Sequence, residues 1–378
     1  MISRRDCLRL ALAPGLVVAA CGRRKSPRYH GYALVANHDS RTIAVINLLE
    51  LRLLTEVPLR FAPSWIFVGA NQLAPVLSQG SPLIEILDLD RMTVTSRANI
   101  ASKAVAARLS KDGNSLWVVG AEPEALIQFR LDSGRVAARV PLPARAAQLD
   151  ISASAVALSM PDSRRVALYS FSDRRLSVSD DISAAPRLIA FRPDGRILLT
   201  GNTEDRCLTV LNASGLQRMV DLPLPLAPRH FCFNADGGQL FVTGDGMDAV
   251  TIVGPYQTEI DETILAGHAP ANMAATTQDP QYLFLSNPQS GEVTVINIDN
   301  RHVLAQISVG EKPGAIVLTP DNEYALVLNE ESGDVAVIKL LNIRQANIIS
   351  RRSRVAPLFT MIPVGRRPVS AAIAPQSG

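Results

Sequence analysis

The chain has 378 residues, 47% of them apolar and only 5% aromatic, with 38 basic against 35 acidic side chains. A net charge of +3 and two tryptophans argue against a basic nucleic-acid binder or a base-stacking platform. Past the first twenty residues no run of about 20 apolar positions occurs, which excludes an internal membrane-spanning helix.

The amino terminus reads as a leader. Ser3-Arg4-Arg5-Asp6-Cys7-Leu8-Arg9 resembles a twin-arginine export motif, with Cys7 where that motif prefers Phe. An apolar stretch from Leu10 to Ala20 follows, broken by Pro14-Gly15. It ends Val18-Ala19-Ala20-Cys21, which resembles a lipobox. The resemblance implies cleavage after Ala20, lipidation of Cys21 and a mature protein tethered to an envelope membrane. An ordinary secretory leader cut near the same place is the alternative. Loss of residues 1–20 removes three arginines and one aspartate, so the net charge falls from +3 to +1. Only a local patch can then attract a charged partner. Residues 21–31 read as a tether and 32–378 as one domain.

From Tyr32 onward the chain is a series of short apolar runs rich in Val, Ile and Leu, each stopped by Asn, Ser, Gly, Asp or Pro. Runs of this length fit buried strands. Second strands begin near Tyr32, Leu73, Ser115, Ala155, Ile197, Leu240, Tyr282 and Tyr324. The positions where the chain crosses to a new unit are Pro63, Ala104, Ala146, Pro186, Pro228, Pro270, Pro313 and Pro368. Their spacings are 41, 42, 40, 42, 42, 43 and 55 residues. A period near forty made of four short strands is the signature of a propeller blade.

The details agree. Tyr324 to Leu328 is continuously apolar, as suits a strand covered on both faces. Arg135 to Val140 alternates and carries charge, as an outermost edge requires. Pro193-Asp194-Gly195, Asn234-Ala235-Asp236-Gly237 and Pro320-Asp321-Asn322 turn first strands into second ones. In Val309-Gly310-Glu311-Lys312-Pro313, Gly310 is expected to supply a sharp change of direction at the crossing. The first unit lacks an inner strand, and the last inner strand, Val369 to Ala374, has nothing after it. Together they complete a ring. The expected fold is therefore all-β, an eight-bladed β-propeller closed by the carboxyl terminus, with seven blades as the alternative.

Ser308-Val-Gly-Glu-Lys-Pro-Gly-Ala-Ile-Val-Leu-Thr-Pro-Asp-Asn322, with Ala325-Leu-Val-Leu-Asn329 and Gly333-Asp-Val-Ala-Val-Ile338, resembles the YVTN-type propeller repeat. Blades one, seven and eight carry it well, and blades two to four are degenerate. The resemblance implies fold more than activity, because related propellers bind, scaffold, carry haem or hydrolyse lactones. It also places His230. In the eight-bladed nitrite-reductase haem propeller a histidine near the equivalent face binds haem iron, and a related lipoprotein family takes part in making that haem. His230 reads first as a hydrogen-bonded channel histidine; by that resemblance a haem-iron ligand is the alternative.

In a propeller the crossings and the hairpins between second and third strands share one face, the crossings ringing the channel mouth. Those positions carry Lys103, Arg145, Arg187, Arg229, Lys312 and Arg367, one cation in six of eight blades. His230, Asn272 and Trp65 stand two residues past their crossing prolines. Farther out, the hairpins carry carboxylates, among them Asp39, Glu122, Glu204, Asp245, Glu330 and Glu331. Two arrangements follow: an anion or acidic-partner site at the mouth, or an inner basic ring paired with the outer acidic one. An insertion in blade eight, Leu341 to Pro357, holds Arg344, Arg351, Arg352 and Arg354 and reads as a solvated loop, or as a docking loop for acidic groups. Cys207 and Cys232 fall on strands of different blades and are expected to be buried free thiols.

No Cys-x-x-Cys-His, His-Glu-x-x-His, Gly-x-Ser-x-Gly or P-loop motif occurs. The expectation is a monomeric, lipid-anchored binding or scaffold module of the cell envelope, with no cofactor or metal. The alternatives, both from the resemblance, are a lactonase-like hydrolase and a haem-handling propeller.

Overall fold

Eight antiparallel sheets of four strands each follow one another along the chain in a computed structural model that describes residues 29–343 and 356–376. The leader, Cys21 and the insertion's arginines 344, 351, 352 and 354 lie outside the described residues. Blade two is built from Trp65–Ile66, Leu73–Leu77, Leu83–Asp88 and Thr93–Asn99. Six further blades repeat this order from the inside outward.

Blade one is the exception that closes the ring. Its second, third and fourth strands are Gly31–Asn37, Thr42–Asn47 and Arg52–Pro58. Its innermost strand is Pro368–Pro375, from the far end of the chain. Gly31 pairs with Pro375 and the register runs antiparallel to Asn37 opposite Pro368. The count of eight and the carboxyl-terminal closure both stand as expected, and no blade is left with an open seam.

Alternation decides which residues meet. In the second and third strands both faces are apolar, because each sheet is sandwiched between two others. The buried side chains accordingly form eight clusters, one in each gap between neighbouring blades. The cluster joining Tyr324, Leu326 and Val337 of blade eight to Ala33, Val35 and Ile46 of blade one spans the seam. Fourth strands alternate instead: Arg135–Pro141 and Thr93–Asn99 are exposed at every other residue or more.

Four second strands end in a fully buried asparagine: Asn37, Asn202, Asn287 and Asn329. The side-chain amide of Asn287 donates to Thr294 Oγ1 at 2.9 Å, that of Asn202 to Thr209 Oγ1 at 2.8 Å and that of Asn37 to Thr42 Oγ1 at 3.1 Å. Each bond ties the second strand to the third. Three of these asparagines, Asn37, Asn287 and Asn329, press against crossing glycines. A Cβ on Gly310 would lie 2.4 Å from Asn329 Nδ2, and one on Gly365 would lie 2.6 Å from Asn37 Nδ2. Gly310 is absent from the glycines with positive φ. Its need for glycine is close approach, which corrects the expectation that it supplies a change of direction. Gly291 and Gly333 in the hairpins, with φ of 68° and 69°, are the ones that need the left-handed conformation.

Candidate functional site

The crossings and the second-to-third hairpins lie together on one face. Five of the six crossing cations there have a hairpin carboxylate within reach. Arg187 Nη2 lies 3.0 Å from Glu204 Oε1, and Arg229 Nη2 2.7 Å from Asp245 Oδ2. Arg367 Nη1 is 3.8 Å from Asp39 Oδ1, and Lys312 Nζ 3.6 Å from both Glu330 and Glu331. Lys103 is bonded to Glu122. That bond, with the charges of Lys103 and Arg145, holds the Glu122 carboxyl below the usual carboxylate range. The His38 hydrogen bond, aided by Arg367 and Arg366, does the same for Asp39.

These groups are exposed or, for Glu330 and His38, partly exposed, so the pairs are screened and contribute little to stability. They do alter the electrostatics of the mouth. An arriving anion meets a ring whose charge is largely compensated, and it must displace a carboxylate at five of six positions. Arg145, with no ion pair among the described residues, is the exception on the rim.

His230 differs from the rim residues. The crossing into blade six enters the strand Ala227–Phe233, where a bulge between Pro228 and His230 shifts the register and sets His230 opposite Thr243. Gln148 opposite Ser159, Leu188 opposite Gly201, Trp65 opposite Leu77 and Ser370 opposite Ala36 occupy the corresponding layer of other inner strands. Asn272, whose carbonyl accepts from Ser286 N at 2.9 Å, completes it in blade seven.

His230 borders two spaces. One is a surface cleft of about 520 Å³ between blades six and seven, lined with Arg229, Asp245, Met247, Asp248 and Gln289. The other is a channel cavity of about 340 Å³. Burial pushes the imidazole pKa below its ordinary 6.5, Arg229 pushes the same way, and Asp245 opposes them. The ring is therefore neutral at pH 7. Among the described residues its nitrogens make no hydrogen bond, so the expected hydrogen-bonded histidine is replaced by one with open nitrogens.

The channel cavity also holds Asn272, as expected at the mouth, together with Arg108, Gln148 and Asp150, and the side chains of Phe191 and Phe233 line it too. Inner strands such as Phe231-Cys232-Phe233 are apolar, but those of blades three and four carry Arg108, Gln148 and Asp150. Gln148 was within reach of sequence reasoning, since it stands two residues past Ala146 just as His230 follows Pro228. Asp150 has a structural task. Its Oδ2 accepts the backbone N–H of Phe191 at 2.7 Å, satisfying an inner-strand edge of the next blade.

Chemically the site offers an unpaired neutral imidazole, amides and guanidinium donors. Its one channel carboxylate is partly engaged, and no nucleophile–base pair faces it. Cys207 and Cys232 are free but only partly buried, and burial raises both thiols, Cys232 to about 11. No cluster of three metal-binding side chains occurs among the described residues.

No protein-family model matches the chain, and no characterised protein sequence does. The YVTN-type resemblance thus rests on the repeat residues alone. Solved structures do match. Dihydro-heme d1 dehydrogenase NirN, in complex with DHE, aligns with a TM-score of 0.77 at 13% identity, over 92% of this chain and 76% of that one. Hydrazine synthase of Kuenenia stuttgartiensis aligns with a TM-score of 0.57 at 15% identity, over 73% of this chain and 95% of that one. A protein of unknown function from Desulfotomaculum acetoxidans gives the same values. At these identities the likeness is one of fold. The chain is an eight-bladed β-propeller.

Proposed function

We propose that this protein is a binding propeller of the cell envelope that holds a flat, anionic ligand of the haem type at its channel mouth. The carrying observation is His230, a neutral imidazole with open nitrogens where the rim cleft meets the channel. The residues at the mouth fit such a ligand. An iron-bearing macrocycle brings its own four nitrogens and asks the protein for one further donor, so no three-residue metal cluster is needed. The lone pair of a neutral imidazole is that donor, and protonation would remove it. Arg229, beside His230, and Arg145 offer cations to acidic groups at the ligand's edge.

When bound, a haem iron supplies a Lewis-acidic, redox-active centre. The chain's own groups hold and orient it. The likeness to a propeller solved with the heme-related ligand DHE supports this ligand class over a small sugar or lactone. The lactonase alternative has less support, since Asp150 is tied to Phe191 and no second carboxylate lines the channel cavity.

Export and lipidation at Cys21 belong to the same proposal: a tethered mature protein presents its mouth to the space outside the inner membrane. The direct test is titration of the purified protein with hemin (iron protoporphyrin IX), followed by absorbance. Saturable one-to-one binding with a shifted Soret band is expected. Unsaturable, non-specific uptake would leave a scaffold propeller without this ligand.

A further inference from the structure

One cation in the channel has no carboxylate partner. Arg108 lies on the inner strand of blade three, Lys103–Leu109, opposite Trp117. Asp150 on the next blade is opposite Ala157, so the two residues share a layer beneath that of Gln148 and His230. Arg108 is exposed although it belongs to an innermost strand, and it lines the channel cavity. Its guanidinium donates to the carbonyl of neighbouring Ala107 at 3.1 Å and makes no ion pair among the described residues. Asp150 shares the cavity, but one of its oxygens is bound to Phe191 N, and it comes no closer than 4 Å to Arg108.

We propose that Arg108 anchors a carboxylate subsite inside the channel, below the mouth, with the amides of Gln148 and Asn272 as further donors. A guanidinium presents five donors in a planar fork that matches a carboxylate bidentately. Five of the six rim cations already have carboxylates; Arg108 still has its donors to offer. Phe191 and Phe233, which line the same cavity, give it apolar wall suited to the methylene arm that carries the acid group. The carboxylate belongs either to an arm of the ligand at the mouth or to a free small acid. The first source rests on the haem-type reading; the second does not.

The experiment measures binding of hemin, hemin dimethyl ester and succinate to the wild-type protein and to Arg108→Gln and Arg108→Lys. Hemin is followed by absorbance and succinate by calorimetry. Arg108→Gln removes no interaction with another element, so melting close to wild type serves as the control. The expected result is that Arg108→Gln weakens hemin roughly 10- to 100-fold. Arg108→Lys should fall between, and the ester should bind both proteins alike. If the wild type ignores hemin but binds succinate in an Arg108-dependent way, the subsite stands and the haem-type reading falls. If hemin binds the wild type and Arg108→Gln equally and succinate shows no dependence on Arg108, the subsite is overturned and the haem-type reading survives. If neither hemin nor succinate binds, both fall.

Discussion

Gly310 and Asn329 are in contact across a blade boundary: the crossing backbone lies so close to the buried amide that a single added Cβ would stand 2.4 Å from Nδ2. Asn329 uses that amide to bond Val309 O at 3.2 Å and Asp334 Oδ1 at 2.6 Å. One side chain therefore ties together the crossing, the second strand and the third. Gly310→Ala should destabilise by about 1–3 kcal/mol through overpacking. Asn329→Ala should cost about as much by leaving bonded groups unpaired. Because the second change also makes room for the first, the double variant should lose less than the sum. A denaturation cycle showing strict additivity would mean that the two residues do not interact.

The ring closes through pairing between the ends of the chain. Ending the chain at Gly365 removes the whole strand Pro368–Pro375 and strips Gly31–Asn37 of its inner partner. It also opens the apolar seam between blades eight and one. Two unprotected strand edges would then face water. Loss of soluble, folded protein is expected, read by expression and far-ultraviolet circular dichroism. Cooperative melting near the wild-type temperature would refute the closure.

Repeats such as Tyr324–Asn329 were legible because both faces of a propeller strand are buried, which leaves an unmistakable apolar run ended by a polar stop. The eight blades could be counted from the crossings for the same reason. The crossing cations and their hairpin carboxylates were both visible in the sequence, yet which of two arrangements they adopt depends on side-chain reach. The reason for Gly310 was misjudged since close approach is a tertiary fact, invisible from a local Val-Gly. Arg108 stands four residues past the crossing Ala104, as Asp150 stands four past Ala146, so its layer can be counted from the crossings; that its guanidinium meets no carboxylate there is a tertiary fact.

Folding costs His230 some of its affinity for protons, chiefly through burial and then through Arg229. The sign follows directly. The unfolded chain binds a proton near pH 6.5 and the folded one only at lower pH, so this group's contribution is whole above 6.5 and is lost as pH falls below it. Compared with His230→Gln, the wild type should lose melting temperature between pH 7 and pH 5.5. A difference between the two proteins that stays constant over that range would show that the imidazole is not buried in this way.

The proposed address rests on Cys21. Cys21→Ser should leave the propeller folded and move it from the membrane fraction to the soluble envelope fraction, because acyl chains would be its only anchor. Retention on membranes after a salt wash would point instead to another attachment, with the arginine-bearing insertion of blade eight the first place to look.

Hemin titration of the wild type against His230→Ala asks most directly whether the channel mouth is a haem-type site. Absorbance should show one-to-one saturation for the wild type, and the substitution should remove the spectral signature of a histidine-ligated iron and weaken binding at least tenfold. Identical spectra and affinities for the two proteins would contradict the assignment of His230 as the donor at the mouth.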